Sequence, residues 1–571
     1  MKRIVITMLA LTMALTAIAC SGLREGNGQD DYDETKSQLY VGTMGGGLGI
    51  SWAEAWADKF EKDNEETVFE PGKKGVQVTV STDKSYFNSN FIPLMHDKEH
   101  DIIITEQVNY YNLVRGGTAY DISEWVKEPL TEFGESKSIV DKLTEIDKEY
   151  YGQGIDQSYY ALPFVNSIMA INYNIQLFED RNWYFAADGE GDPDGFVWNP
   201  ETPKSKGPDG RTGVIGGVDY SMDDGLPATY DDFFKLCDKI VDDGCLPFIW
   251  MGMEQQRKVT ELLSSLVADI EGYEQTSLNY NFNGGTVTDL IDTVDSEGNI
   301  TYMPETKITG ENGYLLKRQK GNYYALKFLE RLLMKTDALG NKKYYDPADS
   351  MVNSFTHTSA QAKFLQSRGA GQTPIAMMID GSWWYNEASE TFAYMAGTPG
   401  MDQYESRIGM MPLPKYSQDA VGDDTTWINQ YITSVLVNGK LDESREMLVK
   451  KFFQYIHTDE ALTSIIHDGH TVRPYTFDLV GYDEDDFSPF SLQHYKLVKN
   501  SKIVQPYSTH DLSKMYTGTI HLNYTTLTPS QYEYVTTAMY SNGVSAKQYF
   551  DGLATYMNKT RWDSMLTGGV R

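Results

Sequence analysis

The chain has 571 residues, 40% hydrophobic, 13% aromatic and 23% charged, a balance that excludes both a disordered chain and a protein of many membrane spans. Its 49 Lys and Arg against 81 Asp and Glu give a formal charge of −32. No basic block competes with that background, which argues against nucleic acid as a partner.

Lys2 and Arg3 precede a mostly apolar run over residues 4–19 that ends in small residues before Cys20, the pattern of an export signal over residues 1–19. This run falls short of the roughly 20 residues a membrane-spanning helix needs. The segment Ala17-Ile18-Ala19-Cys20-Ser21 resembles a bacterial lipobox. The resemblance implies that Cys20 is lipidated and becomes the new N-terminus, and two acyl chains there would suffice for stable anchoring. Residues 20–38 hold little to bury and read as a flexible tether.

Beyond the tether, short strands alternate with amphipathic helices, which predicts α/β layers with mostly parallel sheets. Residues 39–41 form a strand, residues 42–49 a glycine-rich turn, and Ser51 caps a helix that stacks Trp52, Trp56 and Phe60. Strands follow at 76–80, 102–104 and 168–173. The run at 102–104 is apolar throughout, as in a buried parallel strand. Thr229 caps a helix reaching Ile240, and the run 375–379 ends at the turn Asp380-Gly381. Residues 431–437 give a late strand, and 444–456 and 459–466 two helices.

Residues 188–225 and 275–313 are dense in turn formers and read as insertions. The alternating Asp188, Glu190, Asp192 and Asp194 suggest calcium or a solvated loop, and Pro193 sits where an EF-hand loop needs glycine. Cys237 and Cys245 fit either a small-loop disulfide or two buried thiols.

The cluster Gly45-Gly46-Gly47-Leu48-Gly49 matches neither dinucleotide nor P-loop spacing, but backbone N–H groups there can still donate to a polar ligand. His467 and His470 are a lone pair without further ligands, so no metal or cofactor is expected. No catalytic constellation is found. Trp250, Trp383, Trp384 and Trp427 each stand beside a turn or strand end. Aromatic faces there suit the C–H faces of sugar rings, with amides and carboxylates taking the hydroxyls.

Several stretches resemble family 1 extracellular solute-binding proteins, the lipid-anchored receptors of sugar-importing ABC transporters. They are residues 101–122 (DIIITEQVNYYNLVRGGTAYDI), 160–177 (YALPFVNSIMAINYNIQL), 226–237 (LPATYDDFFKLC), 357–384 (HTSAQAKFLQSRGAGQTPIAMMIDGSWW) and 408–414 (IGMMPLP). The resemblance implies an α/β, two-lobe periplasmic-binding-protein-like (type II) fold. Three crossings, near Pro163, 410–412 and 467–474, would frame a cleft between the lobes. The N-terminal lobe would hold residues 39–163 and 412–468, the C-terminal lobe 164–411 and 469–571. Carried over by position, Glu106, Gln107, Tyr110, Asn166, Ser167, Trp250, Trp383, Trp384, Trp427 and Asn429 would bind the ligand. Arg473 would serve either as a bidentate hydroxyl donor or as a hinge salt-bridge partner.

The implied function is non-enzymatic: a monomer on the extracellular face of the bacterial cell membrane that captures a neutral oligosaccharide and delivers it to a permease. The alternatives are a surface-anchored glycan hydrolase or lyase, and the same fold holding a peptide, phosphate ester or uronide.

Overall fold

A computed structural model of the chain describes residues 32–566, apart from 88–94, 96–98, 107–109, 154–156, 200, 216–217, 508–525, 529–530 and 533. The expected signal, Cys20 and Gln107 lie outside the described residues.

In chain order the principal strands are β1 (Ser37–Thr43), β2 (Val76–Thr82), β3 (Ile102–Glu106), β4 (Ala161–Pro163), β5 (Met169–Asn174), β6 (Leu246–Ile249), β7 (Ile375–Gly381), β8 (Ile408–Met411), β9 (Thr426–Ile428), β10 (Thr433–Val437) and β11 (Lys502–Val504). One sheet has the order β2-β1-β3-β10-β4, the other β6-β7-β5-β8. Both are mixed, where mostly parallel sheets are expected from the pattern. β1 runs parallel to β2 and β3, whereas β10 runs against β3 and β4. In the second sheet β6 and β7 are parallel and β5 opposes both β7 and β8. β5 and β10 each follow a passage from the other lobe, so each enters its sheet from the end opposite to its neighbours.

Each sheet carries its own core. Around the first, Leu39, Ile102, Ile103, Val435 and Leu436 pack with Trp52, Trp56 and Phe60 of helix α1 (Ser51–Asp63). Ser51 opens that helix as its first residue and does not cap it: the cap position is Ile50, and Ser51 Oγ donates to the carbonyl of Asp468 at 3.4 Å. Around the second, Ile171, Met377 and Met410 pack with Phe233 and Phe234 of helix α2 (Tyr230–Asp242), whose Thr229 and Asp232 complete a capping box. Cys237 and Cys245 are buried there as separate thiols.

The next segment, α3 (Met253–Asn281), is irregular. Glu254, Gln255 and Gln256 have φ of 52°, 56° and 60°, and Gly272 (φ 73°) breaks it again. Left-handed non-glycine residues cost about 1–2 kcal/mol each. Here the surroundings hold them: Asn353 Oδ1 accepts from the Glu254 N–H, and Gln256 Nε2 donates to the Gly252 carbonyl.

The insertions are small hairpins on the second lobe, at Tyr184–Phe185 with Phe196–Val197 and at Ile291–Val294 with Ile300–Tyr302. Asp192 Oδ1 accepts the N–H groups of Asp194 and Phe196, so this acid orders its own turn. Asp209, Arg211, Tyr220 and Asp223 lie against the return segment, where the Gly422 N–H meets the Pro208 carbonyl at 3.1 Å. The helices Val535–Asn542 and Ala546–Tyr556 complete the second core through Val535, Met539, Tyr549 and Phe550.

Packing departs from the expected lobe division in two places. After β8 the chain stays against the second lobe: Lys415 pairs with the buried Asp269 at 2.8 Å, and β9 pairs with β11 beside α3. It reaches the first sheet only at Thr433, not near 412. Val472, Tyr475 and Phe477, expected in the second lobe, pack in the first core.

Candidate functional site

Between the lobes lies a cavity of about 360 Å³. The first lobe contributes the glycine loop after β1, with Phe87 and Glu106. The crossing contributes Ser167, and the second lobe contributes the start of α3, His357, Trp383 and Glu387.

Trp383 joins the two sides, packing partly buried against both cores. It follows β7 in the turn Gly381-Ser382-Trp383, which is docked on the first crossing: Ser382 N–H donates to the Ile168 carbonyl at 2.8 Å, and Ile168 N–H to Ser382 Oγ at 3.3 Å. The indole folds back over Gly381, where any Cβ would overlap its benzo ring. From the first lobe Gly47 reaches the same indole: a Cβ there would stand 2.7 Å from Cδ1. Asn386 Nδ2 donates to the carbonyl of Leu48 beside this contact. Only glycine lets the two backbones come this near the ring.

The polar groups form a network behind the ring. Lys258 Nζ stands 4.1 Å from the Trp383 ring centroid, 3.5 Å from Asp380 Oδ1 and 3.7 Å from Glu261 Oε2. Tyr431 meets Trp383 edge-on at 5.2 Å and donates its hydroxyl to Glu261. Its phenol is held well above the ordinary range by burial and by the Glu261 carboxylate. Arg257 pairs with Glu254 at 2.9 Å and with Glu261 at 3.3 Å. Gln361 Nε2 donates to Asp380 Oδ2 at 3.0 Å and to Glu387 Oε2 at 2.6 Å. Burial and the neighbouring Asp380 carboxylate push the Glu387 carboxyl up, while His357, 3.4 Å away, draws it down. The site therefore offers an aromatic ring ringed by paired donors and acceptors, an arrangement that binds a polar ligand by hydrogen bonds.

Of the residues expected to bind, Glu106, Ser167 and Trp383 line this cavity. Gln107 lies outside the described residues, and the remaining ones lie elsewhere. Trp250, Trp384 and Trp427 are fully buried in the second core and, unlike Trp383, do not line this cavity, a correction to the expected set. Trp427 sits on β9 because that strand belongs with α3 and β11, not with the returning first-lobe strand. Tyr110 is buried in the first core, where its hydroxyl donates to the Tyr151 carbonyl at 2.6 Å.

Asn166, Asn429 and Arg473 belong to the hinge. Asn429 Oδ1 accepts from the Ser167 N–H, its Nδ2 donates to Gln505 Oε1, and Gln505 Nε2 donates to Asn166 Oδ1, at 2.8, 2.8 and 2.9 Å. The Asn166 N–H reaches the Val472 carbonyl at 3.2 Å, so the segments at 166–167, 429, 472 and 505 are bonded together. Arg473, 1% exposed, donates to the carbonyls of Phe164 and Ile456 and meets His457 Nε2 at 2.8 Å. Neither expected role is shown: the partners of Arg473 are backbone carbonyls, His457 and the Tyr475 hydroxyl, and none of them is a carboxylate. Asn166 and Arg473 also edge a second cavity of about 550 Å³ on the hinge side.

Sequence reasoning missed Arg257, Lys258, Glu387, His357 and Tyr431. One signal was present: Arg257-Lys258 opens the regular part of α3, where the helix dipole disfavours cations.

No described family matches the chain, and no curated protein sequence matches it. Among solved structures, it is similar to a chitin oligosaccharide binding protein, with 14% identity, a TM-score of 0.51, and coverage of 93% of this chain and all of that one. A probable secreted solute-binding lipoprotein from Streptomyces coelicolor is similar at 13% identity and a TM-score of 0.50, over 92% of this chain and 99% of that one. At these identities the likeness shows the fold alone: two α/β lobes with a cleft between them.

Proposed function

We propose that the chain is an extracellular solute-binding lipoprotein that captures a neutral oligosaccharide between its lobes and hands it to the permease of an ABC transporter. The observation that carries the reading is Trp383, an indole at the lobe interface contacted from both sides and surrounded by hydrogen-bonding groups. Such a ring takes the C–H face of a sugar while the polar ring of side chains takes its hydroxyls. The fold shared with a protein described as chitin oligosaccharide binding, and with one described as a probable secreted solute-binding lipoprotein, supports the class of ligand and the location. The lipobox-like segment at Cys20 supports the anchor.

A ligand seen by both lobes favours the closed arrangement by the contacts that only closure provides. Thermal unfolding in the presence of xylo-, cello-, malto- and chito-oligosaccharides tests this: a binder raises the melting temperature. A panel without any shift, or sugars recovered cleaved, would overturn the reading. Replacing Cys20 by serine is expected to release the protein from the membrane fraction.

A further inference from the structure

Lys258 occupies the place a sugar would need. Its ammonium stands over the Trp383 ring at 4.1 Å, while Gly381 lies against the benzo ring of the same indole. A pyranose stacked on the face that the ammonium covers would have to displace it.

The lysine is also incompletely satisfied. It is 4% exposed, yet it lines the cavity. Its recorded carboxylate neighbours, at 3.5 and 3.7 Å, stand beyond the 2.7–3.2 Å of an ordinary N–H···O bond. A desolvated ammonium with donor capacity facing a cavity is a strong hydrogen-bond donor awaiting an acceptor.

The surrounding charge limits which acceptor fits. Glu106, Glu254 and Glu387 line the cavity, with Glu261 and Asp380 just behind, against the cations Arg257 and Lys258. A ligand carboxylate would add a further negative charge to an acid-rich site. A hydroxyl avoids this, because it accepts from the ammonium and donates to a carboxylate at once.

We infer that Lys258 is a ligand-binding residue of the cleft: the ligand lifts its ammonium from Trp383 and receives its hydrogen bonds through neutral hydroxyl oxygens, while the carboxylates around it select polyhydroxylated sugars against uronates. This rests on the sugar-binding reading above.

The test is calorimetric titration of the intact protein, wild type, Lys258→Met and Lys258→Gln, with the neutral oligosaccharides and their uronate-bearing counterparts. Wild type is expected to bind its neutral ligand at least about tenfold more tightly than the matching uronate. Both substitutions should weaken the neutral ligand by about tenfold or more, the loss of one charge-assisted hydrogen bond. Tryptophan emission of ligand-free Lys258→Met should shift in the direction that sugar shifts wild type, since both remove the ammonium from the indole. Melting temperatures check folding. Should neither variant fold, the wild-type preference between neutral and uronate ligands decides alone. Preference for the uronate, or a folded Lys258→Gln that binds neutral sugar as wild type does, overturns the inference and leaves the sugar reading intact. Absence of any sugar binding by wild type overturns both.

Discussion

The indole of Trp383 in the second lobe rests against the backbone of Gly47 in the first, so near that a Cβ on Gly47 would stand 2.7 Å from Cδ1 and 3.3 Å from Cγ. Closure of the two lobes is thus gauged by one ring and one missing side chain. Gly47→Ala adds a methyl at that contact, and overpacking of this kind costs about 1–3 kcal/mol. The strain falls on an indole that packs against both cores. Its expected outcome is a lowered melting temperature without ligand, an affinity lowered by about tenfold, and a smaller contraction on ligand addition in solution scattering.

The buried tryptophans should behave in the opposite way. Trp250 and Trp427 are fully enclosed in the second core, so Trp250→Ala and Trp427→Ala each remove a large apolar volume. Losses of about 3–5 kcal/mol in denaturant unfolding are expected. The fraction that remains folded should bind ligand with wild-type affinity.

Arg473 ties the third crossing to the first through the Phe164 carbonyl and to the end of a first-lobe helix through Ile456 and His457. Its guanidinium also lies 5.0 Å from the Phe164 ring and 4.7 Å from that of Tyr475. Arg473→Met leaves buried carbonyls without donors, a destabilisation of about 3–5 kcal/mol by analogy with broken buried pairs. Arg473→Lys should rescue little of it, because one ammonium cannot serve partners that the planar fork reaches from several sides. Chemical denaturation of the two variants measures both effects.

Glu271 precedes the break at Gly272 and accepts the Gly321 N–H at 2.6 Å. Burial, then the nearby Asp289, push its carboxyl up from 4.5 to about 8. A raised folded-state value means the protonated form belongs to the fold. Its contribution is fully present below about pH 4.5 and is lost as pH rises through 8. Glu271→Gln mimics the protonated acid. Its melting temperature should match wild type near pH 4.5 and exceed it at pH 9, as scanning calorimetry across that range would show.

Much of the framework is legible in the sequence because it depends on neighbours along the chain. The apolar runs at 102–104 and 375–379 are buried strands, and Thr229 with Asp232 caps its helix through bonds three residues apart. The turn carrying Trp383 is likewise local. The rest depends on partners hundreds of residues away. Tyr110 reads as a ring at a strand end, but its hydroxyl finds the Tyr151 carbonyl and the ring joins the core. Trp427 ends a strand as a binding ring would, yet that strand pairs with β11, over seventy residues on, and is enclosed. Lys258 reads as an ordinary helix charge, and only the fold brings it over Trp383.

The central claim, that Trp383 between the lobes is the platform for a neutral oligosaccharide, is tested most directly by titrating wild type and Trp383→Ala with the same sugar panel in a calorimeter. The account predicts saturable one-to-one binding of at least one neutral oligosaccharide by wild type, and a loss of about tenfold or more in the folded variant, in keeping with the worth of one aromatic contact and its buried area. Equal binding by the two proteins, or heat from no sugar with wild type, would contradict it.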